Sequence, residues 1–423
     1  MADPAALTPE TIPVAKRRMM FLASCMALIA TAMSFAIRGD IANDLTRVFQ
    51  MTEQQTGWVL NAWAWGFAGA ILFGGPLCDI LKMGRVMLLA FVAHAVGCIL
   101  TISAPSFPLL FSATLTMGIG NGLVEAAINP LVATVYHKNK VGMLNTLHAW
   151  FPGGIVIGSI IAWAMTQSGM MGLHIGSLSL DLWQAKMAII LVPVAIYGVM
   201  FAGLKLPETE RVTSGVTARE MWQDAMRPAF LMLLFCMMLT AATELGPNSW
   251  MASVMSKTAG QGVLVLAWIS IVMCICRFFA GPLAHAISPP GIMVAGAALA
   301  AVGLWAISFA TGAGMAYGAS FIFGLGVCFF WPTMLGMASE RFPKTGAVGL
   351  GLVGCIGNVG AGFAAPIMGR ISDVTGQPEL SMRYITPLPI IVLAAFLCIL
   401  VWDRSRGGYK IIRLTEDASK TEE

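Results

Sequence analysis

Charge is scarce in this chain of 423 residues: Asp, Glu, Lys and Arg make up 11% of it, against about a quarter of a soluble globular domain. Chemistry-bearing motifs are absent too. No Ser/His/Asp set, zinc-ligand spacing or phosphate-binding loop occurs, so an enzyme is not expected. The nine cysteines lie almost entirely in apolar runs, and the close pair Cys274 and Cys276 is two residues apart on a helix, pointing to different faces. A disulfide framework, a metal site and a cofactor are therefore not expected. The formal charge of +4 is spread over short segments with no basic patch, which excludes a nucleic-acid partner. The tail after Trp402 is only about twenty residues long, too short for a soluble signalling domain, so a non-transporting receptor remains only as an alternative from another class.

What the chain has is apolar length. Hydrophobic residues make up 57% of it, and the mean hydropathy is +0.79. A membrane span needs about 20 apolar residues, and twelve candidates occur, near 18–40, 55–78, 86–105, 108–135, 143–166, 184–204, 228–252, 262–284, 290–311, 314–337, 346–368 and 384–402. Lys16, Arg17 and Arg18 precede the first, but its apolar run is too long for a secretory leader and no small-residue cleavage site follows. With both termini cytoplasmic, inner segments collect 18 of the 25 Lys and Arg residues and outer ones six, leaving Arg277 within a span. That asymmetry sets the orientation in the plasma (inner) membrane.

The two halves are related. Gly75-Pro76-Leu77-Cys78-Asp79-Ile80 returns as Gly281-Pro282-Leu283-Ala284-His285-Ala286, and Gly118-x-Gly120 returns at the same offset of 206 as Gly324-x-Gly326. Such a repeat indicates a duplicated bundle of membrane helices, as in transporters. The organisation expected is an N-terminal six-helix bundle over 1–204, a cytoplasmic linker over 205–227, a C-terminal bundle over 228–402 and a solvated tail over 403–423. Thr217-x-x-Glu220 has capping-box spacing and opens a short amphipathic helix in the linker.

Polar residues inside spans point to function, because a charge at bilayer depth costs several kcal/mol unless it faces protein or water. Asn121, Glu125 and Asn129 recur at i, i+4, i+8 on one face of the fourth span, and Thr240, Glu244 and Asn248 do so on the seventh. Thr31, Ser34 and Arg38 share a face of the first span, and Asn145 and His148 share one of the fifth. Each set reads either as helix-to-helix hydrogen bonding or as the wall of a polar cavity. Trp150 is a candidate stacking surface and Asn358 a further ligand candidate. Arg277 either snorkels to the cytoplasmic interface or, with Arg38, clamps an anion.

Gly118-Ile119-Gly120-Asn121-Gly122-Leu123-Val124-Glu125-Ala126-Ala127-Ile128-Asn129-Pro130 followed by Leu144-Asn145-Thr146-Leu147-His148 resembles the fourth and fifth spans of the fucose–galactose–glucose:proton symporters, a branch of the major facilitator superfamily. Asn43-Asp44-Leu45, Glu244 with Trp250, and Cys276-Arg277-Phe278 extend the resemblance over about 31–368. It implies the all-α major facilitator fold, twelve transmembrane helices in two pseudo-symmetric bundles. It further implies substrate contacts from Glu125 and proton coupling through Asp44 or Glu125. Burial disfavours the charged form of a carboxylate, which lets such a group load a proton on one side and release it on the other. Asp79 and Arg85 stand where the superfamily places a gating contact, with two extra residues before Gly84. His148 replaces the usual Gln, and Arg38 and Asp40 are unlike the uncharged residues of the sugar symporters. The reading is a monomeric carrier in the lipid bilayer that moves a small-molecule substrate, a sugar with a coupling proton; the alternative is an organic-acid carrier using Arg38 and Arg277.

Overall fold

The computed structural model describes residues 12–51, 53–175, 178–259 and 262–414. In a bilayer every backbone N–H and C=O must be satisfied within the protein, which restricts long apolar segments to helices. In chain order these are α1 (Val14–Asp40), α2 (Ala42–Val48), α3 (Glu53–Leu81), α4 (Met83–Ile102), α5 (Phe107–Val135), α6 (Lys140–His148) and α7 (Trp150–Gln167). There follow an antiparallel hairpin of β1 (Gly172–Ile175) and β2 (Leu178–Asp181), α8 (Leu182–Ile189), α9 (Leu191–Ala202) and α10 (Glu210–Thr213). Next come α11 (Ala218–Ala225), α12 (Pro228–Ala259), α13 (Gly262–Arg277), α14 (Ala280–Ile287) and α15 (Pro289–Ile307). The chain continues through α16 (Ala313–Val327), α17 (Phe330–Arg341), α18 (Gly346–Thr375), α19 (Pro378–Ile385) and α20 (Pro387–Ser405). Among the described residues, eleven spans are long and apolar enough to cross a membrane, and twelve when α13 and α14, bent by 64°, count as one. Large apolar side chains such as Phe73, Ile80 and Val199 face outward, more than two-thirds exposed, as expected where lipid is the solvent.

The hairpin departs from the all-helical expectation. Gly172 pairs with Asp181 and His174 with Ser179, and His174 Nδ1 meets Ser179 Oγ at 2.9 Å.

Prolines mark the helix breaks. Pro282 cannot donate to the carbonyl four residues back at the α13–α14 bend, although Pro76, its counterpart 206 residues earlier, lies inside an unbroken α3. Proline here permits a break without compelling one.

The packing forms two compact units, 12–135 with 150–213, and 136–149 with 214–414. One difference from the sequence halves stands out: α6 belongs to the second unit. There it packs on α14 and α17. Lys140 Nζ donates to Ser339 O at 3.1 Å, Val141 N to Glu340 Oε1 at 3.2 Å and Asn145 Nδ2 to Thr333 Oγ1 at 3.2 Å. The tail, expected to be solvated, instead folds back on α17 over 403–414: Arg341 pairs with Asp403, Tyr409 Oη donates to Glu340 Oε2 at 2.8 Å, and Leu414 is buried. Residues 415–423 of that tail lie outside the described residues. In the linker, Thr217 N donates to Glu220 Oε2 at 2.9 Å and Glu220 N to Thr217 Oγ1 at 3.2 Å, the reciprocal capping box that starts α11.

Candidate functional site

In the first unit, Asn121 is engaged in packing. Tyr197 Oη meets His94 Nδ1 at 2.9 Å, His94 Nε2 meets Asn121 Oδ1, Asn121 Nδ2 donates to Ser34 Oγ at 3.0 Å, and Ser34 Oγ donates to Thr31 O at 2.7 Å. Because the amide oxygen only accepts, Nε2 carries the hydrogen and Nδ1 accepts from the tyrosine. This directed chain ties α9, α4, α5 and α1 together, with Asn121 and Ser34 bonded between helices and Thr31 bonded within α1, its Oγ1 donating to Ala27 O at 3.1 Å. His94 and Tyr197 were not singled out from the sequence; a buried polar pair on two otherwise apolar spans was the available signal. Glu125 and Asn129, on the same face of α5, are 3% and 1% exposed.

Arg38 sits at the end of α1, 7% exposed, its guanidinium carbon 4.6 Å from the Trp63 ring centroid. Its Nε and Nη1 are buried without a hydrogen-bond partner, as is Trp63 Nε1. It makes no ion pair with Glu125. Neighbouring carboxylates are already committed: Asp40 to Lys186 at 2.5 Å, and Asp44 to Arg47 at 2.8 Å within α2. Asp44, which the resemblance offered as a coupling group, is partly buried and paired with Arg47.

The gating expectation also changes. Arg85 is exposed, and Asp79 is held instead by Arg211, with Nε and Nη2 both 2.8 Å from Oδ2, and by Thr209 Oγ1 at 2.6 Å. Lys82, the residue before α4, takes φ 70°, a conformation that favours glycine. Both partners of Asp79 lie in the segment after α9.

In the second unit Arg277 neither snorkels nor awaits a ligand. Its Nη2 lies 3.0 Å from Glu244 Oε1, both side chains being under 5% exposed. Nη1 donates to His148 O at 2.8 Å and Nε to Cys328 O at 2.5 Å. These two carbonyls are the ones that prolines strand. Pro152 lies four residues after His148 and Pro332 four after Cys328, and neither can supply the helical N–H. One arginine thus caps two proline-broken helices and neutralises a buried carboxylate. Around it, Asn145 Oδ1, Glu244 Oε2, Asn248 Oδ1 and Trp331 Nε1 are buried with no hydrogen-bond partner. Asn145 and Trp331 belong to α6 and α17, which pack together. Trp331 was not among the residues chosen from the sequence, where it reads as a packing aromatic. Asn358 bonds within its own helix, Nδ2 to Gly354 O at 2.9 Å. Trp150 is half-buried on α7 of the first unit, and His148 ends α6 of the second.

The duplication is written in the packing. A Cβ on Gly120 would lie 2.9 Å from His94 N, and one on Gly326 would lie 2.3 Å from Ala300 N; Gly97 meets Met117 N as Gly303 meets Phe323 N. Gly154 meets Ala32 and Gly360 meets Met238. Every residue in the second contact of each pair is 206 beyond its counterpart in the first. Lys82 and Ser288, also 206 apart, share the same unusual backbone, φ 70° and 67°. By that register Arg38 of α1 corresponds to Glu244 of α12, and Glu125 of α5 to Trp331 of α17. Two homologous bundles of this kind are a transporter architecture, and the model of one family, described as the Major Facilitator Superfamily, matches residues 20–365 and 245–416.

The chain belongs to the Major Facilitator Superfamily. It is a multi-pass membrane transporter and not an enzyme, and its fold is the twelve-helix, two-bundle fold expected from its sequence. Among superfamily relatives, a Mycobacterium tuberculosis protein described as the uncharacterized MFS-type transporter EfpA is 26% identical over 246 residues, 57% of this chain and 41% of that protein's length. The Escherichia coli fucose:proton symporter FucP superposes with a TM-score of 0.73 at 16% identity, covering 90% of this chain and 98% of that one. The proton:xylose symporter XylE gives 0.74 at 12% identity, covering 90% and 95%. At these identities the superfamily likeness is one of fold alone.

Proposed function

We propose that this transporter moves a small polyhydroxylated solute of sugar size together with a proton, by alternating access, as a monomer in the plasma membrane with both termini cytoplasmic. The observation that carries the reading is Glu125, a carboxylate 3% exposed in mid-span, sharing a helix face with Asn129. Carboxylate and amide together accept and donate hydrogen bonds as a polyol requires, and a carboxylate at that depth is costly unless it faces protein or a water-filled cavity, which is where a transport site lies. The other acidic side chains considered are tied to cations: Asp40 to Lys186, Asp44 to Arg47, Asp79 to Arg211 and Glu244 to Arg277. The reading assigns coupling to Glu125 on its depth in the span. FucP and XylE are described as a fucose:proton and a proton:xylose symporter, which agrees with the reading.

Asn145, Trp331 and Glu244 Oε2 are the second unit's candidates for solute contact, and the bonds from α6 to Ser339, Glu340 and Thr333 are those that part when α6 leaves α17. The test is Glu125→Gln in proteoliposomes. Gradient-driven accumulation is lost while exchange of labelled for unlabelled solute persists, as expected when only the proton step is removed. Accumulation at the wild-type level by the variant would remove Glu125 from the mechanism. The anion-clamp alternative loses one of its two arginines, because the Arg277 donors are already engaged.

A further inference from the structure

We propose that Arg38 and Trp63 seat a carboxylate of the transported solute, so that the substrate is a sugar acid, a polyhydroxylated monocarboxylate, and not a neutral sugar. This rests on the transporter reading above and names its substrate class.

Arg38 is a guanidinium walled in by protein, with Nε and Nη1 both buried and unpartnered. Lipid phosphate is no partner for donors that the protein itself covers. Its guanidinium carbon lies 4.6 Å from the centroid of the Trp63 ring. A cation–π contact offsets only part of the desolvation of a buried cation, whereas a carboxylate meets a guanidinium with paired, charge-assisted hydrogen bonds. Trp63 Nε1 is buried and unpartnered as well. Both groups are donors, so the missing group is an acceptor.

Charge fixes its valence. Asp40 is paired with Lys186 and Asp44 with Arg47, so neither carboxylate flanking Arg38 in sequence supplies its acceptor, and a single guanidinium suits a monocarboxylate better than a phosphate dianion. Phe35, one turn before Arg38 and partly exposed, lies against Trp63 at 5.5 Å between centroids and adds an aromatic surface for the apolar face of a sugar ring. The second unit carries the completed arrangement: at position 244, the counterpart of 38, a carboxylate already meets a guanidinium, that of Arg277. In the first unit the guanidinium is present without its carboxylate.

The experiment uses purified full-length protein in proteoliposomes under an inward proton gradient, with labelled hexuronate, aldonate and neutral hexose. Hexuronate and aldonate accumulate, and Arg38→Gln lowers their uptake by about 100-fold, the scale of a lost charged hydrogen-bond pair. Arg38→Lys recovers only part of it, since an ammonium lacks the fork. Should Arg38→Gln not fold, Trp63→Phe keeps the ring and removes Nε1–H, and raises KM for hexuronate. Accumulation of neutral hexose with no uptake of, or competition by, the acids would overturn the carboxylate seat and leave the sugar-transport reading standing. Unaltered hexuronate uptake in Arg38→Gln or Trp63→Phe would also overturn it. Uptake of none of the three would overturn both.

Discussion

Arg277→Met is the perturbation with the largest effect calculable from this structure. The guanidinium holds Glu244 Oε1 at 3.0 Å, His148 O at 2.8 Å and Cys328 O at 2.5 Å. Breaking a buried ion pair by removing one partner costs about 3–5 kcal/mol, and each stranded carbonyl adds about 1 kcal/mol or more. A total near 5 kcal/mol corresponds to a fall in Tm of roughly 10–20 °C for a unit of this size, readable by thermal unfolding in detergent. The cause can be dissected. Adding Glu244→Gln removes the stranded charge and returns most of the carboxylate's share. Adding Pro332→Ala restores an N–H for Cys328 O, and returns about 1 kcal/mol in the Arg277→Met background but not in the wild type, where the arginine already serves that carbonyl. Equal effects of Pro332→Ala in both backgrounds, or an unchanged Tm in Arg277→Met alone, would refute the capping argument.

Two further tests address helix packing and the contact of Asp79 with the segment after α9. Gly326→Ala places a Cβ 2.3 Å from Ala300 N and 2.7 Å from its Cα, so α15 must give by roughly 1 Å at a cost of about 1–3 kcal/mol; Gly318→Ala on the same helix meets nothing within 4 Å and gains about 0.5–1 kcal/mol. Opposite shifts in Tm are the expected result, and shifts of one sign would contradict the register. Asp79→Asn removes the acceptor charge for Arg211 and loosens residues 205–213, so limited proteolysis cuts there faster than in the wild type, while Arg85→Gln leaves the rate unchanged; the reverse pattern would restore Arg85 as the partner.

The spans were legible because twenty apolar residues have few other uses, and the duplication because motifs recur at a fixed offset. Prolines stand at the breaks near Pro152, Pro282 and Pro332, but Pro76 and Pro130 lie inside unbroken helices, so the residue type alone does not place a break. Nor does it announce the cap. Arg277 is 129 residues from His148 and 51 from Cys328, and nothing local links it to either carbonyl. Asn121 shows the same limit: helical spacing placed it on a polar face with Glu125, but its use for packing depends on His94 and Tyr197, contributed by other helices. Asp79 was matched to Arg85 through the superfamily's loop pattern, whereas the arginine that it meets here lies 132 residues away. A motif carries residue type and not surroundings: the resemblance gave Asp44 its place but not its pairing with Arg47 on α2.

The central claim is that this transporter carries a polyhydroxylated solute with a proton. The most direct measurement is the internal concentration of labelled hexuronate and hexose in proteoliposomes, with an inward proton gradient and after its collapse by a protonophore. Accumulation above the external concentration that vanishes with the gradient is the predicted result. Equilibration to the same level with and without the gradient, or no entry of either solute, would contradict it.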